Sequence, residues 1–195
     1  LEIGCGGGGN LIPFKNNGYR VTGIDYSKEL IKLGRSYGLN IRQGSISSLS
    51  EVQDKYDVII LNHVIEHSTD FFSDMNLITQ RLNENGIIYI GVPNIDNCHL
   101  GQFHNAHTLY FTPRTFLHYM GACGLKEITF GSAMKIHMYG IFEQDEGVEN
   151  SCALEGESDL ILRKVRKGKI KDGIFTIMDA LGIDRQLASS LLKKL

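Results

Sequence analysis

The sequence predicts an α/β fold built on an open, mostly parallel sheet with crossover helices. Three observations predict it. Short apolar runs alternate with segments of helical period along the 195 residues. Two of those runs, YDVIIL at 56–61 and IIYIGV at 87–92, are continuous rather than alternating, as strands are when both faces are covered. The chain also opens on LEIGCGGGGN, a strand tail that runs straight into glycines, with a short helical pattern behind them.

Each element follows from local pattern. Residues 1–3 read as the end of a strand, and a short helix follows to residue 17, stopped by Gly18. A strand is expected at 20–24. Ser27 caps a helix carrying Leu30, Ile31, Gly34 and Tyr37 on one side, closed by Gly38. A short strand is expected at 40–43. Phe71, Met75, Ile78 and Leu82 share one helical face, and Asn85-Gly86 turns the chain into the strand at 87–92. A loop from 94 to 110 carries His99, His104 and His107. Thr112-Pro113 starts a helix that ends at Gly124. Residues 125–130 read as a strand, the acid-rich 143–159 stretch as a mobile loop, and 159–165 as the last strand. Two amphipathic helical patterns end the chain: Ile174, Ile177, Met178 and Leu181, then Leu187, Leu191 and Leu195.

Bulk properties exclude several classes. A formal net charge of −2 gives no basic face for nucleic acid. No apolar run approaches the roughly 20 residues of a membrane span. The four cysteines, at 5, 98, 123 and 152, have no metal-ligand spacing and read as reduced, inert thiols of a cytoplasmic protein. Six basic residues in nine, RKVRKGKIK at 163–171, read as a solvated strand end, with contact to anionic lipid or to a phosphorylated acceptor as the functional alternative. The chain reads as one unit at 1–165 with a helical extension at 166–195. It is a monomer, or a dimer through the apolar faces of that tail.

The opening glycines are a site for an anionic or dipolar ligand, because glycine lets the ligand approach the backbone closely. Asp25, at the end of the next strand, stands where a carboxylate accepts hydrogen bonds from a ribose. Two readings fit. Gly4-x-Gly6-x-x-Gly9 matches the dinucleotide fingerprint of an NAD(P)-dependent oxidoreductase. Glu2-x-Gly4-x-Gly6-x-Gly8 matches the first motif of another nucleoside-binding class. The glycines alone leave both open.

The blocks LEIGCGGG, GIDYS, YDVIILNHVIEHSTD, GIIYIGVPN and HTLYFTPRTFLHYMGACGL stand in order over residues 1–131. In these blocks the sequence resembles the class I S-adenosylmethionine (AdoMet) methyltransferases, in the branch of the ubiquinone-biosynthesis O-methyltransferases and many sugar and natural-product methyltransferases. The resemblance implies a Rossmann-like, doubly wound, seven-stranded mixed sheet and AdoMet as cofactor. It implies that Glu2, Gly4, Gly6 and Gly8 cradle the methionine part, that Asp25 binds the ribose, that Tyr26 borders the adenine, and that Asn62 lies along the methionine end. The family often carries Asp where Ser45 stands, so adenine recognition is expected from Ser45 and the backbone around Ile46. The family also has a helix and half a strand before LEIG, which implies an incomplete first strand and a fragment of a longer protein. The implied reaction is O-methylation of a small molecule or saccharide. A methyltransferase fold retained only for binding is the non-catalytic alternative.

Methyl transfer to a hydroxyl needs a base near neutral pH, and His suits that task. His63 and His67, past the fourth strand, and His107, in the loop after the fifth, are the candidate catalytic residues. His118 and His137 are expected off the site. Glu66 and His67 also fit a turn-pinning role. The string His63-x-x-Glu66-His67 spells an inverted zinc-protease motif, but it follows a buried strand instead of lying on a helix, and no metal is assigned. Some quinone-pathway relatives carry Glu where His63 stands and are thought to hold a divalent cation with the following Glu-His, which is the weaker reading here. DNA amino-methyltransferases carry an Asn/Asp-Pro-Pro-aromatic motif where this chain reads LNHVIEH, and the paired-Glu loop of arginine methyltransferases is not recognisable.

Overall fold

The computed structural model describes residues 1–97, 106–133, 136–145, 147, 159 and 163. Seven strands form one sheet: β1 (Glu2–Ile3), β2 (Gly23–Asp25), β3 (Ile41–Gln43), β4 (Tyr56–Asn62), β5 (Leu82–Pro93), β6 (Leu125–Ala133) and β7 (His137–Gln144). Their order is β3-β2-β1-β4-β5-β7-β6. The first five pair in parallel, while β7 runs antiparallel to both β5 and β6. A doubly wound dinucleotide sheet ends with parallel strands in the order 4-5-6. The antiparallel β7 inserted before β6 therefore separates this fold from the oxidoreductase alternative.

The helices are α1 (Leu11–Asn16), α2 (Lys28–Ser36), α3 (Phe71–Thr79) and α4 (Pro113–Ala122). Ser27 caps α2 by accepting from the Leu30 amide, and Asp70 caps α3 by accepting from the Ser73 amide. Thr112 and Thr115 form a reciprocal capping box at α4, with Pro113 in its first turn.

Side chains alternate across each strand, so the sheet has two cores. The larger holds Ile3, Ile59, Leu61, Ile88, Ile90 and Phe116 with Met75 of α3 and Met120 of α4. The smaller holds Cys5, Leu11, Ile31, Leu39 and Ile41. Burial pushes the Cys5 and Cys123 thiols up to about 12 and about 11, so both are inert at neutral pH. Cys98 and Cys152 lie outside the described residues.

Several expectations change. Leu82 opens β5 against Tyr56 rather than closing α3, and Asn85-Gly86 is a bulge inside that strand: pairing jumps from Tyr56–Leu82 to Val58–Ile87. The strand expected at 20–24 narrows to Gly23–Asp25. Leu30 of α2 and Tyr37 just past its end face solvent, and within α2 only Ile31 and Gly34 are buried. Among the described residues one face of the apolar run of β4 is fully covered: Ile59 and Leu61 are fully buried, while Val58 and Ile60 are half-buried and line a cleft of about 880 Å³ with Leu1, Phe14 and Tyr19. The seventh strand is His137–Gln144, a stretch given no element above except where its last two residues overlap the 143–159 loop. Asp159 and Arg163, the described positions of the expected last strand, are helical and exposed. The boundary at 165 and the two tail helices lie outside the described residues.

Candidate active site

Strand β1 ends in a cradle. The Gly4 and Cys5 amides both donate to the Ile24 carbonyl, at 2.8 and 3.1 Å, and the Gly8 amide donates to the Cys5 carbonyl at 2.8 Å. Gly4, Gly6 and Gly8 adopt φ of +67°, +54° and +78°, a region costly for any residue with a Cβ. Gly9 has no positive φ, and a Cβ there would meet nothing within 4 Å. The backbone therefore uses glycine at 4, 6 and 8. That is the Glu-x-Gly-x-Gly-x-Gly reading, not the dinucleotide fingerprint that needs position 9.

Two carboxylates brace this cradle. Asp25 accepts the Gly6 amide at 2.7 Å through Oδ2 and the Ser27 amide at 2.8 Å through Oδ1. Each oxygen keeps a second lone pair for a ligand hydroxyl. Glu2 is almost fully buried; its Oε1 accepts from Asn10 Nδ2 at 2.7 Å, while Oε2 has no partner among the described residues. Burial pushes the Glu2 carboxyl above the usual carboxylate range, and the Asn10 bond opposes this. A buried carboxylate oxygen without a partner at the floor of a bare glycine turn fits a ligand that brings an ammonium group. On this observation the residues present fit AdoMet.

The adenine end is weaker. Tyr26 stands 81% exposed at the rim, free to cover a planar base. The Ser45 hydroxyl already pairs with Ser47 Oγ at 2.8 Å, and the Ser45 amide donates to Ser48 Oγ at 3.0 Å. Ile46 is buried beneath them. The expected free hydroxyl at 45 is therefore engaged in the short turn that follows β3.

The second half of the site lies past β4. Asn62 and His63 sit at its carboxyl end, beside the point where the strand order reverses. The His63 amide donates to the Gly91 carbonyl at 2.9 Å, and its backbone is held at φ +56°. A left-handed histidine is uncommon and is retained where surroundings over-determine it. The next residue touches the cradle: a Cβ on Gly4 would come within 2.6 Å of Val64 Cγ2. His63 Nδ1 lies 3.1 Å from Glu66 Oε1. Glu66 is buried, and its Oε2 lacks a partner among the described residues. A carboxylate accepts only, so the shared proton is on His63 Nδ1; in the neutral imidazole Nε2 is then the acceptor.

His67 is held from its other side. Its Nδ1 donates to the Ala106 carbonyl at 2.7 Å, again leaving Nε2 as an acceptor. Thr108 fastens this segment by donating from its amide and hydroxyl to the Glu66 carbonyl, at 2.9 and 3.0 Å. The His67 and His107 rings meet edge to face at 4.9 Å. Ligand atoms of Glu66, His67 and His107 all lie within 4.8 Å of one another, a carboxylate–imidazole set suited to a divalent cation.

The structure thus joins Glu2, the three glycines and Asp25 in one cradle. It places Asn62 and His63 beside that cradle, and His67 with His107 behind Glu66. Glu66 stands within reach of His63 on one side and of His67 and His107 on the other. His137 is the main correction: expected off the site, it sits on β7 with its ring 4.7 Å from that of His63, edge to face. Burial, then the nearby His63, pushes its pKa below the ordinary value. No sequence signal placed it there, because β7 itself went unread. His99 and His104 lie outside the described residues.

Comparisons with known proteins agree with the fold. Residues 1–129 match the family described as a methyltransferase domain. A ubiquinone biosynthesis O-methyltransferase of Rickettsia typhi is 34% identical over 100 residues, covering 48% of this chain and 40% of that protein. The chain spans about two fifths of the length of such curated relatives. A SAM-dependent methyltransferase from Archaeoglobus fulgidus superposes with a TM-score of 0.62 at 18% identity, over 74% of this chain and 85% of that one. A Burkholderia thailandensis 1,6-didemethyltoxoflavin-N1-methyltransferase, solved with S-adenosylhomocysteine bound, gives 0.60 at 19% identity, over 74% and 70%. With its family match over residues 1–129, its antiparallel seventh strand and its glycines at 4, 6 and 8, the chain belongs to the class I AdoMet-dependent methyltransferases.

Proposed function

We propose that this chain carries the catalytic core of an enzyme that methylates a hydroxyl group on a small molecule or saccharide. The observation that supports it best is His63: an imidazole on a left-handed backbone, its Nδ1 paired with Glu66, one residue from a side chain that packs against the glycine cradle. AdoMet supplies a methyl group on a sulfonium, already activated for displacement. Glu2, Gly4, Gly6 and Gly8 hold its methionine end, and Asp25 holds its ribose. Tyr26 with Ser45 and Ile46 borders its adenine, and Asn62 lies along the methionine. With AdoMet bound to supply the methyl group, His63 Nε2 would take the proton of the acceptor hydroxyl. Glu66 stabilises the imidazolium that forms. The products are the methyl ether and S-adenosylhomocysteine. His67 and His107 contact the acceptor from the loop side.

A second reading concerns those two residues. Glu66, His67 and His107 have the donor set and spacing for a divalent cation, and the orphaned Glu66 Oε2 favours one. Such a cation would lower the pKa of a bound acceptor hydroxyl. The relatives named above as ubiquinone-biosynthesis O-methyltransferases support a small hydroxylated acceptor. Among the described residues, no helix is long and apolar enough to cross a membrane.

Calorimetric titration with S-adenosylhomocysteine, alongside NADH, tests the cofactor assignment. Binding of S-adenosylhomocysteine that Asp25→Ala abolishes is expected. Binding of NADH alone would reverse the assignment.

A further inference from the structure

Helix α2 leaves an apolar line open to solvent. Among the described residues, Tyr26 is 81% exposed, Leu30 43%, Leu33 48% and Tyr37 60%. Single exposed hydrophobic side chains are ordinary. These are not scattered. Leu30 and Leu33 lie within α2, Tyr37 caps its end, and Tyr26 stands just before its Ser27 cap. Their spacings of four, three and four are the step at which positions recur along one stripe of a helix. Ile31 and Gly34 are the residues of α2 that pack into the domain. The line is what the helix has left after docking on its own sheet.

The line is also symmetric. Tyr, Leu, Leu, Tyr at spacings of four, three and four reads the same in both directions. Two copies that meet about a twofold axis use one patch twice, so that patch must complement itself. An antiparallel α2 pair centred between Ile31 and Lys32 sets Leu30 against the partner's Leu33 and Tyr26 against the partner's Tyr37. A foreign partner requires no such symmetry. Two cations of this side are tied back within the chain: Arg35 donates to the Ile41 carbonyl through Nε and Nη2, at 2.9 and 2.7 Å, and Lys15 Nζ donates to the Tyr37 carbonyl at 2.8 Å. Exposed Lys28, Glu29 and Lys32 border the line.

We propose that α2 is the surface through which two copies of this chain pair, as an antiparallel helix dimer with Leu30 and Leu33 at its centre. At about 150–250 Å² for a whole aromatic side chain, the exposed parts of the four residues come to roughly 400 Å² per copy and roughly 800 Å² for the pair, under the about 1,200 Å² of a stable interface. The dimer is therefore weak, with a Kd above about 1 µM. It seats on the outer side of the glycine turn: a Cβ on Gly6 would meet Leu30 Cδ1 at 3.7 Å, and one on Gly7 would meet Leu33 Cδ2 at 3.5 Å.

Sedimentation equilibrium from about 10 µM to about 1 mM tests this. Tyr26 is shared with the proposed adenine rim, so the measurement is made without cofactor. The mass of the wild-type chain should rise toward that of a dimer. Leu33→Lys puts an ammonium at the centre and should raise the Kd at least about tenfold; Leu30→Glu should do the same. The double variant L30E/L33K should pair again, most tightly at low salt, because each carboxylate then faces the partner's ammonium. A parallel pair would set like charges together. Both positions are half-exposed, so the variants should keep the circular dichroism of the wild type. Recovery in the double variant separates a lost contact from a lost fold. A chain that stays monomeric to about 1 mM, a dimer that Leu33→Lys leaves as tight as before, or a double variant no tighter than the single ones would each overturn the proposal.

Discussion

Glu2 is a buried carboxylate that is costly in the free fold and that the proposed cofactor role would put to use. It is 2% exposed, one oxygen is bonded to Asn10, and the other has no partner among the described residues. Replacing it by Gln keeps the shape and the Asn10 bond while removing the charge. Relief of a buried, half-satisfied carboxylate is worth about 1–3 kcal/mol. For a domain of this size each kcal/mol moves Tm by about 2–4 °C, so Glu2→Gln should raise the Tm of the free chain by several degrees. The pH dependence carries the same sign. Because burial raises the folded pKa of Glu2 above its unfolded value, its contribution is fully present below the unfolded value and is lost as pH rises through the folded pKa. The Tm gap between Glu2→Gln and wild type should therefore be small at pH 4 and wide at pH 7. Ligand binding should move the other way. A charge-assisted bond to the ammonium of S-adenosylhomocysteine is worth about 1.5–3 kcal/mol, so affinity should fall by about 10- to 150-fold. Scanning fluorimetry and calorimetry on the two proteins read both quantities. A variant that loses stability and keeps its affinity would refute the reasoning and leave Glu2 as a structural partner of Asn10.

Three further outcomes follow from the same coordinates. Gly8→Ala forces a left-handed alanine whose Cβ would lie 2.4 Å from Leu39 Cδ1, whereas Gly9→Ala meets open space. In urea unfolding the first should cost at least about 2 kcal/mol, from the left-handed backbone and the overpacked core together, and the second well under 1 kcal/mol. Thr112→Ala breaks the capping box at α4 and should destabilise by about 0.5–2 kcal/mol, with S-adenosylhomocysteine affinity unchanged, as calorimetry will show. Added Mn²⁺ or Zn²⁺ should raise Tm after dialysis against EDTA, and Glu66→Gln or His107→Ala should remove that shift; an unchanged shift in both variants would place the ion elsewhere.

Much of the fold was legible because its elements carry strong local signals. The runs at 56–61 and 87–92 became β4 and β5, and Thr112-Pro113 became a capping box. The misreadings share a physical cause: pairing partners that are distant in sequence. Leu82 satisfies a helical period, yet Tyr56 captures it as a strand residue. HMYGIFEQ alternates buried and half-buried positions, a strand pattern, but Gly140 and the acidic stretch behind it hide the run. Its place is decided by β5 and β6, which it pairs along its whole length. Gly140 is small there for a reason no sequence window contains: a Cβ would strike the Phe142 ring at 2.4 Å.

The site divides along the same line. The cradle was readable because glycine, Glu2 and Asp25 are close in sequence and each type has few other uses at such a turn. Even so, the four-glycine run could not say which glycines mattered; the choice of Gly8 over Gly9 needed the backbone angle. The histidines were readable as candidates but not as partners. His63 pairs with Glu66 three residues away, a contact set by a local turn, while its contact with His137 spans the sheet and exists only because β7 runs antiparallel beside β5. The topological feature that separates this fold from a dinucleotide-binding sheet is thus also the one that brings a second imidazole to the mouth of the site. A parallel strand in the same slot would begin at the opposite edge of the sheet and place its first residue, like His137, far from His63.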